Sequence, residues 1–337
     1  MATINLYGQA GANVLRSAHA EFRVTDLGAA RHFYVDLLGF VETERTADAL
    51  YLRGLEEREH HSLILRKAAS PGLTHMAYRV ADPGDLDRLS DRFAALGLPQ
   101  RWVEDGEELA QGRALRVQDP AGLPVEFYHA MAPAERLLQR FDLYRGSHIM
   151  RLDHFNCQVS QIEPIFDFYT RELGFRLTEY TETEEAEPRK WATWLHRKGN
   201  VHDLALMNGR GPRLHHVAFW LPDALAVLRT CDILAGARMH EAIERGPGRH
   251  GISNALFLYL RDPDGNRLEF YSSDYLTVDP DLEPIRWSIN DPRRQTFWGH
   301  TAPPSWFDEA SPVESIFDGS FVEQADGQLQ DRPQFVT

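Results

Sequence analysis

The chain of 337 residues is long enough for two domains of ordinary size or for one assembly of repeated units. Its 36 basic and 50 acidic side chains give a net charge of −14, which repels phosphate backbones and anionic lipids, so we expect neither a nucleic acid nor a membrane partner. The two cysteines, Cys157 and Cys231, form no CxxC pair, no run of 18 apolar residues occurs and the first residues do not resemble a secretory leader. The sequence therefore predicts a cytoplasmic protein with free thiols.

A strand followed by a helix begins each half of the chain. Residues 19–40 form a strand-like run, a turn at Asp26 and a helix whose apolar residues recur every three or four positions. Residues 154–175 repeat this plan. Gly39 and Gly174 follow the two helices and are predicted to end them, because glycine accepts the left-handed conformation.

A second kind of unit follows in each half. The segment HMAY, which begins at His75, aligns with HVAF, which begins at His216. Both units close with a turn of the form Asp-Pro-x-Gly, which predicts a hairpin. A glutamate follows the aspartate of that turn by seven residues in both cases, Glu126 in the first half and Glu269 in the second.

These repeats predict an α+β fold of four βαβββ units that pair into two curved mixed sheets. The units are expected at roughly 15–67, 72–130, 150–208 and 212–275. The corresponding domains are an N-terminal domain (1–132), a linker (133–149) with a helix in AERLLQRF, a catalytic C-terminal domain (150–275) and a tail (276–337). The tail is expected to wrap over the second half, to cover the active site and to be loose from about Glu323.

Strand alternation and the repeat bring two histidines and a carboxylate toward one cup of the second half. His154, His216 and Glu269 come from three strands of different units. Such a facial triad leaves about half of an octahedral shell open, which suits Fe(II) or Mn(II) binding a bidentate substrate together with O₂. The triad's residue types are the same for both metals, so the choice between them stays open.

The repeat also selects between the two adjacent histidines, His215 and His216. Neighbours on a regular strand point to opposite faces, so only one of them can face the cup. The alignment with HMAY selects His216. We therefore expect His215 to point to the other face, to be structural, and to be dispensable for metal binding.

Several long segments resemble the type I extradiol ring-cleaving dioxygenases of the vicinal oxygen chelate superfamily, most closely those that act on 3,4-dihydroxyphenylacetate. The segments are LDHFN (152–156), WLHRKGNVHD (194–203), GPRLHHVAF (211–219), IERGPGRHG (243–251), LYLRDPDGNRLEFY (258–271), NDPRR (290–294) and PSW (304–306). The resemblance spans nearly the whole chain and is densest from residue 150 onward.

Carried over to the matching positions, the resemblance implies a role for each of several residues. It implies metal ligation by His154, His216 and Glu269, acid–base catalysis by His202, and a hydrogen bond from Tyr259 to a substrate oxygen. The remaining pocket residues that it implies are Asn156 and Trp194 near O₂, Arg245, His250, Arg293 and Arg294 around a substrate carboxylate, and Trp306 as a cover from the tail.

The activity implied is cleavage of a carboxylated catechol next to its hydroxyls, with O₂ as co-substrate, to give a hydroxymuconic semialdehyde in aromatic catabolism. The resemblance also implies a homotetramer. A metal-dependent isomerase or lyase of the glyoxalase kind is one alternative, which oxygen consumption would distinguish. A metal-free small-molecule binding protein on the same fold is another, which metal analysis would distinguish.

The first half carries the same three residue types, His19, His75 and Glu126, at the matching positions. Counterparts of His202 and Tyr259 are not evident there. We expect this half to be metal-free, with the three side chains held by hydrogen bonds.

Overall fold

Four successive βαβββ units make up most of the computed structural model, which describes residues 5–329. The first unit has β1 (Val14–Val24), α1 (Leu27–Arg31) continued by a π-helix (His32–Leu37), β2 (Val41–Arg45), β3 (Ala49–Arg53) and β4 (Leu63–Lys67). The second has β5 (Gly72–Val80), α2 (Gly84–Ala95), β6 (Gln100–Val103), β7 (Ala114–Gln118) and β8 (Pro124–Tyr128). The third has β9 (Arg151–Val159), α3 (Glu163–Asp167) continued by a π-helix (Phe168–Glu172), β10 (Arg176–Glu182), β11 (Lys190–His196) and β12 (Leu204–Asn208). The fourth has β13 (Arg213–Trp220), α4 (Ala224–Gly236), a 3₁₀ turn (His240–Ala242), β14 (Ile243–Arg249), a second 3₁₀ turn (Ile252–Asn254), β15 (Leu256–Arg261) and β16 (Arg267–Ser272).

Each pair of units forms one mixed sheet, as the repeats predict. The first sheet has the order β2-β3-β4-β1-β5-β8-β7-β6, and the second contains the path β14-β15-β16-β13-β9-β12-β11-β10. Within a unit the first and last strands are parallel, because the helix carries the chain across. Between units the two first strands are antiparallel, which brings β9, β13 and β16 side by side in the second sheet. The predicted α+β class and its four units are confirmed. Among the described residues, no helix is long and apolar enough to cross a membrane.

The two predicted helix-ending glycines have the same local reason to be glycine. Gly39 and Gly174 have φ values of +84° and +70°. A β-carbon at Gly39 would lie 2.2 Å from the carbonyl oxygen of Arg145, and one at Gly174 would lie 2.5 Å from that of Leu6. Backbone conformation and close approach of a second chain segment therefore both exclude a side chain.

A reciprocal pair of buried hydrogen bonds joins the two halves. Tyr34, in the first half, donates to Asp262 Oδ2 of the second half at 3.0 Å. Tyr169, in the second half, donates to Asp119 Oδ2 of the first half at 3.1 Å. Both aspartates belong to the Asp-Pro-x-Gly turns, so each half completes a turn of the other. Burial raises the pKa of Asp119 and of Asp262 to about 6, although backbone and tyrosine hydrogen bonds oppose the shift.

The linker does not contain the helix predicted for AERLLQRF. Only a 3₁₀ turn, Phe141–Leu143, forms at its end. Much of the backbone of this segment pairs with the first half, since Ala134 donates to the carbonyl of Arg58 and Leu137 to that of Leu55. The apolar spacing therefore records one buried side chain, Leu137, and not a helical face.

The tail contains regular structure and follows a longer path than expected. It contributes β17 (Ile285–Ser288) beside β10, α5 (Ser305–Asp308), and β18 (Ser311–Pro312) beside β13. It then reaches the first half, where Glu314 donates through its amide to the carbonyl of Leu73 and pairs with Arg23. Ala325 and Gly211 exchange two backbone hydrogen bonds, so the prediction of a loose end from about Glu323 is wrong for residues 323–329. Residues 330–337 lie outside the described part of the chain.

Candidate metal centre and substrate pocket

The three side chains of the predicted triad meet in the cup of the second sheet. His154 on β9, His216 on β13 and Glu269 on β16 are each at most 2% exposed. Both histidine Nε2 atoms lie 3.0 Å from Glu269 Oε2, and they lie 3.4 Å from each other. Ligand atoms bound at right angles, about 2.1 Å from one ion, are about 3 Å apart. The three atoms therefore have the spacing of one face of a coordination octahedron.

Asp153 determines which ring nitrogen of His154 faces the cup. The Nδ1 of His154 donates to Asp153 Oδ2 at 2.8 Å, and Asn200 Nδ2 donates to both oxygens of that carboxylate at 3.1 and 3.2 Å. A carboxylate only accepts, so Nδ1 carries the proton and Nε2 has a lone pair when the ring is neutral. A partner of this kind orients a metal-binding histidine and increases its basicity. The orienting role of Asp153 had one signal in the sequence, which is its position directly before His154 in LDHFN.

His215 does not point to the opposite face, and that expectation is wrong. The pairing of β13 with β9 shifts between Leu214 and His216, so His215 is the extra residue of a β-bulge. The bulge breaks the alternation and brings the Nδ1 atoms of His215 and His216 to within 2.7 Å of each other. The Nε2 of His215 donates to the backbone carbonyl of Trp306 at 2.8 Å.

Charge in the triad is shared between the three groups. Burial opposes the imidazolium form of His154, but hydrogen bonds to Asp153 and Glu269 raise its pKa to about 9. Burial lowers the pKa of His216 to about 4. Burial also opposes ionisation of Glu269, but the hydrogen bonds from the histidines hold the pKa of Glu269 well below its usual value. Glu269 is thus ionised and His154 is an imidazolium with a proton on each ring nitrogen, and a divalent cation would displace the proton on Nε2.

A divalent transition-metal ion fits these residues. Two imidazole nitrogens and one carboxylate converge at octahedral spacing, and both imidazoles are oriented from behind. Glu269 Oε1 is buried without a hydrogen-bond partner in the described chain. These three ligands would occupy one face and leave the opposite side open to the pocket.

His202 lies next to the triad as a neutral base. Its side chain is 2% exposed, and its ring centroid lies 3.8 Å from that of His154. Burial and the neighbouring His154 hold the pKa of His202 well below its ordinary value. Its Nδ1 has no hydrogen-bond partner within residues 5–329. A neutral, unpartnered imidazole at the pocket wall can accept a proton from a bound hydroxyl.

Tyr259 and His250 form a hydrogen-bonded pair on the opposite wall. The Nδ1 of His250 donates to the carbonyl of Gln295, which leaves its Nε2 free to accept from the hydroxyl of Tyr259 at 2.9 Å. Burial and the charge of Glu269 raise the pKa of Tyr259 well above the usual value, so its hydroxyl keeps its proton and can donate it in a hydrogen bond.

The pocket beside the triad is lined by a mixture of aromatic, apolar and polar side chains. Asn156, Trp194 and Trp306 line it as the sequence predicts, and Trp306 is supplied by α5 of the tail. The sequence reasoning missed five further lining residues, which are Met207, Ile252, Ser253, Tyr271 and Gln295. Tyr271 had a usable signal, because it shares a strand face with Glu269. The others depend on the curvature of the cup and on the path of the tail.

The three predicted arginines have different surroundings, and of the three only Arg245 lines the pocket. Arg245 lines the pocket, and Arg294 lies behind it against Trp191, with each arginine 2% exposed. Burial lowers the pKa of both to about 10, and no ion pair between described residues includes either one. Arg293 is 68% exposed in its side chain and pairs with Asp291 at 2.9 Å. Its predicted place in the cationic end is therefore not supported, because in the turn at residues 292–295 its side chain is exposed to solvent whereas that of Arg294 is buried.

The matching three residues of the first half also meet, but the charge of their carboxylate is already neutralised by an arginine. His19 Nε2 lies 3.1 Å from His75 Nε2 and 3.3 Å from Glu126 Oε1. Glu126 accepts from Arg116 Nε and from Gln111 Nε2, both at 2.7 Å. The Nδ1 atoms of His19 and His75 have no partner among the described residues, in contrast to those of the second half.

The surroundings of this first-half cluster partly differ from expectation. A counterpart of His202 does exist, because His61 lies two residues before β4 as His202 lies two residues before β12. The counterpart of Tyr259 is Arg116, since Arg116 pairs opposite Glu126 as Tyr259 pairs opposite Glu269. A guanidinium thus occupies the position from which Tyr259 faces the triad, and its charge disfavours a divalent cation there.

Comparisons with known proteins agree on one group. The family model described as the Glyoxalase/Bleomycin resistance protein/Dioxygenase superfamily matches residues 16–127 and 151–270. A manganese-dependent 2,3-dihydroxybiphenyl 1,2-dioxygenase from Geobacillus genomosp. 3 is 34% identical over 85% of this chain and 94% of its own length. A metapyrocatechase from Geobacillus stearothermophilus is 31% identical over 89% of this chain and 94% of its own. The solved substrate complex of homoprotocatechuate 2,3-dioxygenase from Brevibacterium fuscum, which contains 3,4-dihydroxyphenylacetate, is 43% identical with a TM-score of 0.90 and covers 95% of this chain and 98% of that one.

Proposed function

We propose that this chain, which belongs to the Glyoxalase/Bleomycin resistance protein/Dioxygenase superfamily and within it to the extradiol ring-cleaving dioxygenases, acts on a carboxylated catechol. The substrate that fits best is 3,4-dihydroxyphenylacetate, which places two ring hydroxyls at one end of the molecule and a carboxylate at the other. The triad and Arg245 line the same pocket, so both ends of this molecule would meet matching groups.

The observation that carries this proposal is the pair of uncompensated buried guanidiniums. Arg245 donates to the carbonyl of Gln295 and to the hydroxyl of Thr296, but its Nε and Nη1 have no partner in residues 5–329. The Nε and Nη1 of Arg294 are likewise unpartnered. An unpaired buried charge is costly, so a ligand that brings a carboxylate to this end is favoured.

His154, His216 and Glu269 would hold Fe(II), with Mn(II) as the alternative, because the same nitrogen and oxygen ligands suit both ions. Such an ion would supply the Lewis-acid and redox chemistry that brings an electron-rich catechol and O₂ together. Asn156 and Trp194 line the side of the pocket next to the triad, where O₂ would enter. Asn156 Oδ1 has no hydrogen-bond partner within the described chain.

The protein's own side chains handle protons and orientation. His202 accepts a proton from a catechol hydroxyl and returns it during ring opening, since it is neutral and unpartnered at Nδ1. When substrate binds, the hydroxyl hydrogen of Tyr259 turns from His250 to a substrate oxygen, while Arg245 binds the carboxylate and Trp306 covers the pocket. Catalysis then rests on positioning and electrostatics, with no covalent protein nucleophile.

The proposed reaction consumes one O₂ for each catechol and needs no external reductant. The ring bond that breaks joins one hydroxyl-bearing carbon to the neighbouring carbon that has no hydroxyl. Both atoms of O₂ enter the product. One oxygen becomes part of a new carboxylate and the other that of an aldehyde, which gives a hydroxymuconic semialdehyde.

The test is to load the protein anaerobically with Fe(II) or Mn(II), admit air and follow O₂ uptake and the yellow product. The substrates are 3,4-dihydroxyphenylacetate and 4-methylcatechol, which lacks the carboxylate. A charge-assisted bond of about 1.5–3 kcal/mol predicts a kcat/KM roughly 10- to 150-fold higher for the carboxylated substrate. Arg245→Met should remove most of that preference. Absence of O₂ uptake with every catechol would refute the dioxygenase assignment, whereas equal kcat/KM values would refute only the carboxylate site. The homotetramer stays a prediction that light scattering can check.

A further inference from the structure

The bulged histidine His215 connects the candidate metal ligand His216 to the tail. We propose that His215 is a positioning residue, which holds His216 in the tautomer able to bind a cation and makes that tautomer depend on docking of the tail at Trp306. This inference rests on the proposed ligation by His216. His215 does not line the pocket, and its contact with the triad is the one to His216.

The hydrogen-bond directions follow from what each group can do. The carbonyl of Trp306 only accepts, so the Nε2 of His215 carries a proton. A neutral His215 then has a lone pair at Nδ1, and the 2.7 Å contact requires the Nδ1 of His216 to donate. The Nε2 of His216 is left as an acceptor, and this is the atom 3.0 Å from Glu269. Without His215, the Glu269 carboxylate would favour the other tautomer of His216, because it only accepts and so draws the ring proton to Nε2.

Arg267 holds the bulge and the tail together. This fully buried side chain donates from Nη1 to the carbonyl of His215 and from Nη2 to the carbonyl of Ser305, both at 3.1 Å. Glu244 anchors the guanidinium through Nε and Nη2 at 2.5 and 3.0 Å. The carbonyl of Trp306 is therefore presented to His215 by a rigid clamp.

The first half contains a matched control. His60 and His61 are also adjacent, and their Nδ1 atoms lie 3.1 Å apart. The outer partner of His60 is Glu44, whose side chain is 48% exposed, and His61 is not a member of either triad. Replacing His60 removes a buried histidine pair of the same kind without touching the candidate metal centre.

The experiment compares His215→Phe, His215→Asn and His60→Phe in the full chain, with Mn(II) affinity measured by calorimetry and stability by urea unfolding. His215→Phe keeps a ring against Trp306 but accepts no hydrogen bond, so the dissociation constant should rise about 10- to 100-fold. His215→Asn can still accept from His216 and should retain affinity within about threefold, although it packs less well. His60→Phe should leave the affinity unchanged.

The outcomes separate this inference from the proposed function. Failure of the unaltered chain to bind Mn(II) or Fe(II) would overturn both. Binding by the unaltered chain together with wild-type affinity in His215→Phe would overturn only the positioning role. The same conclusion would follow if the phenylalanine and asparagine variants lost affinity in proportion to their loss of unfolding free energy, because that pattern indicates a structural residue.

Discussion

Arg116 neutralises the first-half cluster from within, and Arg116→Met tests how much that charge contributes. The side chain is 8% exposed and bonds Glu126 and Glu108, each at 2.7 Å. Methionine preserves much of the volume but leaves the carboxylate of Glu126 buried without a cation beside it, with Gln111 and the imidazole of His19 as polar neighbours. Breaking a buried ion pair in this way costs about 3–5 kcal/mol, and we expect a loss of that size in unfolding free energy.

Urea unfolding in the presence of a chelator measures this loss directly. Glu126→Gln in the Arg116→Met background should recover about 2 kcal/mol or more, because the uncompensated charge is then absent. Millimolar Mn(II) should stabilise Arg116→Met more than it stabilises the unaltered chain, since His19, His75 and Glu126 become able to hold a cation. A loss below about 1 kcal/mol, or equal stabilisation of both proteins by Mn(II), would refute the view that Arg116 replaces a cation.

Three further predictions concern the joint between the halves and the pocket. Tyr34→Phe removes one donor to the buried Asp262, which keeps its bonds from Asn266 and from the Asp264 amide, and should lower the unfolding free energy by about 0.5–1.5 kcal/mol in urea; an unchanged free energy would contradict it. The pKa of Asp119 is raised to about 6 in the fold, so the folded state binds the proton more tightly than the unfolded state does. The stabilisation that this proton gives to the folded state is fully present below about pH 4 and is lost as the pH rises through 6. Asp119→Asn should therefore gain up to about 3 kcal/mol relative to the unaltered chain between pH 4 and 7, whereas a constant offset in urea unfolding across that range would be inconsistent. Arg293→Ala should change the KM for 3,4-dihydroxyphenylacetate less than twofold in O₂-uptake kinetics, because its side chain is exposed, and a tenfold increase would return it to the pocket.

The repeat explains why the fold and the triad were predictable. Each unit has the same order of elements, so a strand position in one half could be checked against the other. This internal alignment selected His216 and matched Glu269 to Glu126 without any structure. The chemistry of two histidines and one carboxylate then indicated an open coordination site.

Features that break the regular pattern were not predictable in the same way. Alternation assumes an unbroken strand, and the bulge between Leu214 and His216 reverses the inferred direction of His215. Apolar spacing predicted a helix in 134–141, but that backbone finds its partners in the loop that contains Leu55. Arg293 and Arg294 are adjacent and chemically identical, so only the path of the tail decides that Arg294 is buried and Arg293 is not.

The position of the tail in the chain has a consequence for how a cell assembles the centre. His154, His216 and Glu269 are all synthesised before α5, so the cup can form on the ribosome while Trp306 is still missing. Until α5 is synthesised, the hydrogen bond from His215 to the carbonyl of Trp306 cannot form. Docking of the tail then completes the orienting hydrogen bonds and covers the pocket in one event. The order of synthesis thus leaves the metal ligands without their Trp306 cover until the tail is made.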